Sequence, residues 1–118
     1  MGGDAGFGAD RRLHQPGEFA AVFAQRRVLR GASFNLHYRP NGGNSARLGL
    51  VIAKKLARRS VRRNAIKRTG REAFRQARAG LPALDLVLRL PKPVASVDAA
   101  ARLAWRAEID GLLGKLPK

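Results

Sequence analysis

Apolar side chains recur along this chain at two different periods. In QPGEFAAVFAQ, Val22 and Phe23 lie three and four residues after Phe19, the spacing of one helical face. Pro16 suits the first turn of that helix, where its missing N–H does no harm. A short strand is possible around Val28 and Leu29. Gly31 then turns the chain into SFNLHYR, where Phe34, Leu36 and Tyr38 alternate with Asn35, His37 and Arg39. That alternation predicts a strand with one buried face. PNGGNS, residues 40–45, reads as a turn. RLGLVIA follows, with Leu48, Leu50 and Ile52 on one side and Gly49, Val51 and Ala53 on the other. Two strands around this turn predict an antiparallel hairpin. Its small-residue face can accept a helix or a ligand.

The period changes again after Lys55. Ile66, Gly70, Ala73 and Ala77 are spaced four, three and four, which predicts a helix from about Val61 to Ala79 packed on the sheet. Ser60 is its expected N-cap, and Gly80 and Pro82 stop it. LDLVLRL, residues 84–90, reads as a further strand lined by Leu86, Leu88 and Leu90. Strand, helix and strand suggest a βαβ unit with the two strands parallel. After the stiff link PKP, Ser96 is the expected cap of a last helix. Its stripe is Ala101, Trp105, Ile109, Leu112 and Leu116, and Trp105 reads as core. The predicted order is αβββαβα: an α+β, two-layer sandwich of one four-stranded sheet with helices packed on it. Residues 1–12 read as a flexible tail in which Phe7 is the one large apolar residue. Residues 13–118 read as one domain.

Charge sharpens this picture. The 118 residues carry 24 Lys and Arg against 8 Asp and Glu, a formal net charge of +16. Such a chain repels itself and favours polyanions, nucleic acid first. The cations are concentrated: Lys54 to Arg75 holds ten of the 24 and one acid, Glu72. Arg63, Lys67, Arg71 and Arg75 form a ridge at successive i, i+4 positions, widened by Asn64 and Arg68. Each like-charge pair at that spacing costs roughly 0.2–0.5 kcal/mol, so the ridge asks for a partner that supplies the missing negative charge. Lys54 and Lys55 end the preceding strand, and Arg58 and Arg59 lie in the joining loop. Together with Arg62 they extend the cationic surface. Arg outnumbers Lys here, which suits bidentate contacts to phosphate. Phe19 and Phe23 suit core packing first and a stacking platform for unpaired bases second.

Catalytic chemistry is thin. The chain has no cysteine, so thiolate catalysis, disulfides and cysteine metal sites are excluded. His14 and His37 read as surface or RNA-contacting residues rather than catalytic ones. Asp85 and Glu72 are expected to pair with Arg rather than hold a metal. No Gly-rich loop has phosphate-cradle spacing, and no apolar run reaches the ~18 residues of a membrane span. The Gly-rich, acidic start is wrong for a secretory signal, which points to a cytoplasmic protein. An RNA-binding protein without an active site of its own, such as a ribosome-assembly factor, fits these observations. A membrane-surface protein fits less well, since the basic helix has small residues on its inner face.

VIAKKLARRSVRRNAIKRTGREAFR resembles the bacterial ribonuclease P protein family. The family's AKK at a strand end appears as Ala53-Lys54-Lys55. Its R-N-R-x-K-R core appears as Arg63-Asn64-Ala65-Ile66-Lys67-Arg68, and its R-E-x-F as Arg71-Glu72-Ala73-Phe74. The resemblance extends over about residues 7 to 115. It implies an RNA-binding subunit of an endoribonuclease whose RNA subunit is the catalyst, uses Mg²⁺, and removes the 5′ leader of precursor tRNA. By the same resemblance, Lys54, Lys55, Arg58, Arg59, Arg62, Arg63, Asn64, Lys67, Arg68 and Arg71 bind the catalytic RNA. Phe19, Phe23, His37 and Arg39 then belong to a cleft for the single-stranded leader, with Tyr38 beside it. No catalytic residue, protein-bound metal or obligatory protein partner is implied. A left-handed βαβ crossover is. Ala65 departs from the family's second Arg of R-N-R, so one cationic contact is lost, or Arg62 or Arg58 replaces it. Thr69 and Gly70 stand where bulkier apolar residues are common, and His37 where an aromatic or apolar residue is.

Overall fold

A 9-residue helix, α1 (Pro16–Ala24), opens the described part of the chain. The computed structural model describes residues 12–43, 45–94 and 96–117. The expected tail up to residue 11, with Phe7, lies outside the described residues. Arg12 forms a parallel bridge with Leu48. Glu18 closes the first turn of α1, its carboxylate accepting the backbone N–H of His14 at 2.7 Å and of Gln15 at 3.0 Å. Three strands follow: β1 (Val28–Arg30), β2 (Asn35–Pro40) and β3 (Arg47–Val51). The basic helix α2 spans Ser60–Ala77, and a 3-10 turn covers Arg78–Gly80. Strand β4 (Leu84–Arg89) and helix α3 (Ala99–Gly114) complete the fold. The element order is the αβββαβα expected from periodicity.

Strand pairing differs from the expected hairpin. The sheet order is β1-β2-β4-β3, so β2 and β3 do not pair. Instead β4 lies between them, antiparallel to β2 and parallel to β3. The reason lies in β4 itself. Every residue of Leu84–Leu88 is buried, and a strand with both faces covered belongs in the middle of a sheet. The long turn after β2 does not force its two strands together. Asn41 organises it, donating from Nδ2 to the Ser45 carbonyl at 3.0 Å and accepting the Gly43 N–H at 2.7 Å. The βαβ unit, β3-α2-β4, has the parallel strands predicted for it.

Helices α2 and α3 cover one face of the sheet. Ile66, Ala73 and Phe74 of α2 and Trp105, Ile109, Leu112 and Leu113 of α3 form the main core with Leu36, Leu48, Leu86 and Leu88. Trp105 is core, its ring meeting Phe34 edge-on at 6.5 Å. Gly70 allows the close approach of α2. A β-carbon there would lie 3.0 Å from Leu88 and 3.2 Å from Leu50, on two adjacent strands. Among the described residues the other face carries α1 alone, with a small core of Leu13, Val22 and Val87 flanked by Phe19, Phe23 and Val51.

Two expected caps are corrected. The N-cap of α2 is Arg59, with Ser60 already inside the helix and no side-chain cap bond. Separately, the guanidinium of Arg63 ties the preceding turn to the helix, donating to the carbonyls of Ala57 at 3.0 Å and Arg58 at 2.9 Å. The N-cap of α3 is Asp98, not Ser96; its carboxylate accepts the Ala101 N–H at 2.8 Å.

Glu108 of α3 pins the turn between β1 and β2. Its carboxylate accepts the Ser33 N–H at 2.8 Å and the Phe34 N–H at 2.7 Å. Hydrogen bonds to a charged acceptor contribute more than neutral ones, so Glu108→Ala is expected to destabilise the fold by about 2 kcal/mol. A urea midpoint equal to that of the unaltered protein would refute this.

Candidate nucleic-acid interface

Alternation along the strands fixes what the α1 face presents. His37, Val87 and Gly49 lie side by side on β2, β4 and β3, and α1 crosses them. Val22 packs with Val87. Phe23 meets His37 edge-on, ring centroids 4.7 Å apart. Phe19 lies on Gly49, where a β-carbon would come within 2.4 Å of its ring. The small-residue face of β3 thus accepts a helix. Both phenylalanines are half-buried: each packs on the sheet and keeps an edge in solvent.

On one side of α1 the next row of the same face is Arg39, Asp85 and Arg47. Asp85 is fully buried. Arg47 grips it with both ends of its fork, Nε to Oδ1 and Nη2 to Oδ2, each at 2.9 Å. Asn41 donates to Oδ1 at 3.0 Å, and Arg39 stands 3.8 Å away. Arg47 also bonds Glu18 at 3.0 Å, which fastens α1 to the sheet. As expected, Asp85 and Glu72 both pair with Arg, Glu72 with Arg75.

The Glu18 carboxyl titrates at about 2, lowered mainly by the backbone N–H groups of Gln15 and His14 and further by Arg47. Its folded value lies below the ordinary value of 4.5, so the stabilisation is complete above that value and is lost as pH falls toward 2. The α1 tether is expected to loosen in that window. Proteolysis after Phe23, rising between pH 4.5 and 3 in a protein otherwise still folded, would show it; Glu18→Gln should open α1 at neutral pH as well. Protection independent of pH and of Glu18 would refute it.

On the other side of α1 the row is Arg30, Asn35, Arg89 and Val51. No acid pairs with Arg30 or Arg89 among the described residues. This row leaves Arg30 and Arg89 exposed on the sheet face beside the half-buried rings of Phe23 and His37, an open cationic strip. The imidazole of His37 is pushed below its ordinary pKa, first by burial and then by the charges of Arg89 and Arg30. Its Nε2 is buried without a partner. This strip therefore offers cations, an amide and ring edges to a single-stranded anion. Arg39 shares the face but stands in the row with Asp85, across α1 from this strip. Arg30 and Arg89 were not singled out in the sequence; the signal was an Arg on the same alternation as His37 in each neighbouring strand.

The second cationic surface is α2. Lys54, Lys55, Arg58 and Arg59 are exposed in the turns that lead into it, and Arg63, Lys67 and Arg71 run along one flank, half-buried. Each i, i+4 step turns ~40° around the axis, so the ridge drifts until Arg75 is exposed. The outermost stripe is instead Val61, Asn64 and Arg68. Arg62 turns the other way and donates to the Val94 carbonyl at 3.4 Å. Helices α1 and α2 cover opposite faces of the sheet, so strip and ridge form separate surfaces of one small body.

A family model for ribonuclease P matches residues 7–116. The chain belongs to the ribonuclease P protein family. Membership makes it a protein component of ribonuclease P, the ribonucleoprotein endoribonuclease of tRNA processing. The ribonuclease P protein component of Azoarcus sp. (strain BH72) is 50% identical over 117 residues, covering 99% of this chain and 95% of that one. That of Aromatoleum aromaticum is 48% identical over 104 residues, covering 88% and 85%. The solved ribonuclease P protein of Thermotoga maritima superposes with a TM-score of 0.75 at 27% identity, covering 91% of this chain and 98% of that one. The Staphylococcus aureus protein shares the fold, with a TM-score of 0.77 at 24% identity and coverage of 88% and 93%. Among the described residues of this family member, no group of three His, Asp or Glu side chains is placed to hold a metal ion. No helix among them is long and apolar enough to cross a membrane.

Proposed function

We propose that this chain binds the catalytic RNA of ribonuclease P through the α2 surface and takes the 5′ leader of precursor tRNA on the cationic strip beside α1. Lys54, Lys55, Arg58, Arg59, Arg63, Lys67 and Arg71 meet the RNA subunit, with Arg62, Asn64 and Arg68 on the adjoining flank. Phe19, Phe23 and His37 line the leader path, and Arg30 and Arg89 join them. Arg39 supports that face through Asp85. One observation carries this reading: two unneutralised cationic surfaces stand on opposite faces of one sheet, so the chain can hold two RNA segments at once.

Chemistry belongs to the RNA subunit and its Mg²⁺. The protein contributes binding and orientation, and its charge of +16 offsets repulsion between catalytic and substrate RNA. It works in the cytoplasm, with RNA partners and no obligatory protein partner.

The test is cleavage of precursor tRNA by a bacterial ribonuclease P RNA at low Mg²⁺, with and without this chain. Recovered cleavage at the mature 5′ end is the expected result. Salt-sensitive RNA binding without recovery would leave a general RNA-binding protein.

A further inference from the structure

A groove of about 370 Å³ separates the far flank of α2 from the start of α3. Its volume falls at the small end of the ~300–1,000 Å³ range of ligand sites. Ser60, Val61, Asn64, Ala65, Arg68 and Thr69 line it from α2, and Val97 and Arg102 from the other side. The lining is divided by chemistry. Val61, Ala65 and Val97 make an apolar floor, and Val61 is 62% exposed, an unusual place for a large apolar side chain on a basic helix. Arg68 and Arg102 stand on opposite walls. Arg102 is held there by its Nε, which donates to the Val97 carbonyl at 2.9 Å, leaving its two terminal nitrogens for another acceptor. The side chains of Arg68 and Asn64 make no hydrogen bond among the described residues. The hydroxyl of Thr69 is committed to the Ala65 carbonyl at 2.9 Å. No acid among the described residues lines the groove.

We propose that this groove grips one unpaired nucleotide of the RNA partner, its base over Val61, Ala65 and Val97 and its phosphate between Arg68 and Arg102. Asn64, with an amide donor and acceptor, reads the base edge or the ribose hydroxyl. The proposal rests on the reading that the chain binds ribonuclease P RNA, and it deepens that reading. The interface then wraps around α2 onto α3, a helix whose stripe otherwise serves the core. Ala65 is what leaves the floor open: any longer side chain there fills the space a base would occupy. Arg102 supplies from α3 a guanidinium that α2 lacks at this point. Arg62 cannot do so, since it is turned to the Val94 carbonyl. Arg106, the next cation along α3, is already paired with Asp110.

Two variants of the full chain test this, each first checked for an unchanged thermal transition. Ala65→Leu fills the floor and leaves every charge in place. Arg102→Ala removes one wall at an exposed position. The readouts are the dissociation constant for a bacterial ribonuclease P RNA and the reactivity of its unpaired bases to a base-modifying reagent. Each variant is expected to weaken binding roughly tenfold. The double variant should be little weaker than the worse single one, because both remove the same nucleotide. One base protected by the unaltered protein should become reactive in both. Affinities within twofold and unchanged protection, while Arg63→Ala weakens binding, would overturn the groove and leave the α2 ridge as the RNA surface. No binding by the unaltered protein would overturn the underlying reading together with the groove.

Discussion

Replacing Arg63, Lys67 and Arg71 together by alanine is expected to weaken binding to ribonuclease P RNA by roughly a hundredfold near 0.15 M salt. These three side chains form the flank of α2 that no acid neutralises among the described residues. Each phosphate contact releases condensed counterions, so losing three should flatten the salt dependence by about 2–3 in the logarithmic slope. The fold should survive. Removing like charges at i, i+4 relieves roughly 0.2–0.5 kcal/mol per pair, which partly offsets the two bonds that Arg63 makes to the loop carbonyls of Ala57 and Arg58. Binding and folding therefore separate in this variant. Titration at several salt concentrations, beside a thermal scan, measures both. An unchanged affinity with an unchanged slope would place the RNA surface elsewhere on the chain.

Much of this site was legible because helices announce their faces. Ile66, Gly70 and Ala73 are buried as their spacing required, and Trp105, Ile109, Leu112 and Leu116 likewise. What periodicity withholds is neighbourhood. Alternation says which face a strand residue takes but not which strand lies beside it, so the pairing of β2 with β4 escaped a reading that joined elements close in sequence. The unbroken apolar run Leu86–Leu88 was the available signal, since a strand with two apolar faces needs cover on both. For the same reason the Arg30–Asn35–Arg89 row went unread: its members are adjacent only across three strands. The caps failed differently. Ser60 and Ser96 each had the right side chain, yet Ser60 already lies inside α2, whose N-cap Arg59 makes no side-chain cap bond, and Asp98 stood nearer the first turn of α3. Capping propensity ranks side chains without fixing where the first helical residue falls. Asp85 combined both kinds of signal. A lone acid within an apolar strand must find a cation, but that the cation is Arg47, 38 residues earlier, follows only from the β3-β4 register.

Asp85→Ala carries the largest expected effect on stability. The carboxylate is 0% exposed and gathers Arg47, Asn41 and, more distantly, Arg39. Removing one partner of a buried pair typically costs about 3–5 kcal/mol, because the other charge remains without compensation. Here Arg47 is 29% exposed and keeps Glu18, so water and the second acid relieve part of that. A loss of about 3 kcal/mol is expected, or roughly 12–20 °C in the thermal midpoint of a domain this size. Asp85→Asn keeps the shape and an acceptor for Asn41 and should lose about half as much. The effect should also reach function selectively. Arg47 holds α1 through Glu18, and α1 carries Phe19 and Phe23, so below the new midpoint the leader should be held less tightly while affinity for the RNA subunit, borne by α2 across the sheet, stays. Replacing the pair together, Asp85→Leu with Arg47→Met, should recover much of the stability, since apolar packing substitutes well for a buried ion pair, yet leave the leader defect because Glu18 still lacks its partner. A midpoint within 2 °C of the unaltered protein for Asp85→Ala, or equal losses of leader and RNA-subunit binding, would show that this buried carboxylate does not hold α1 in place.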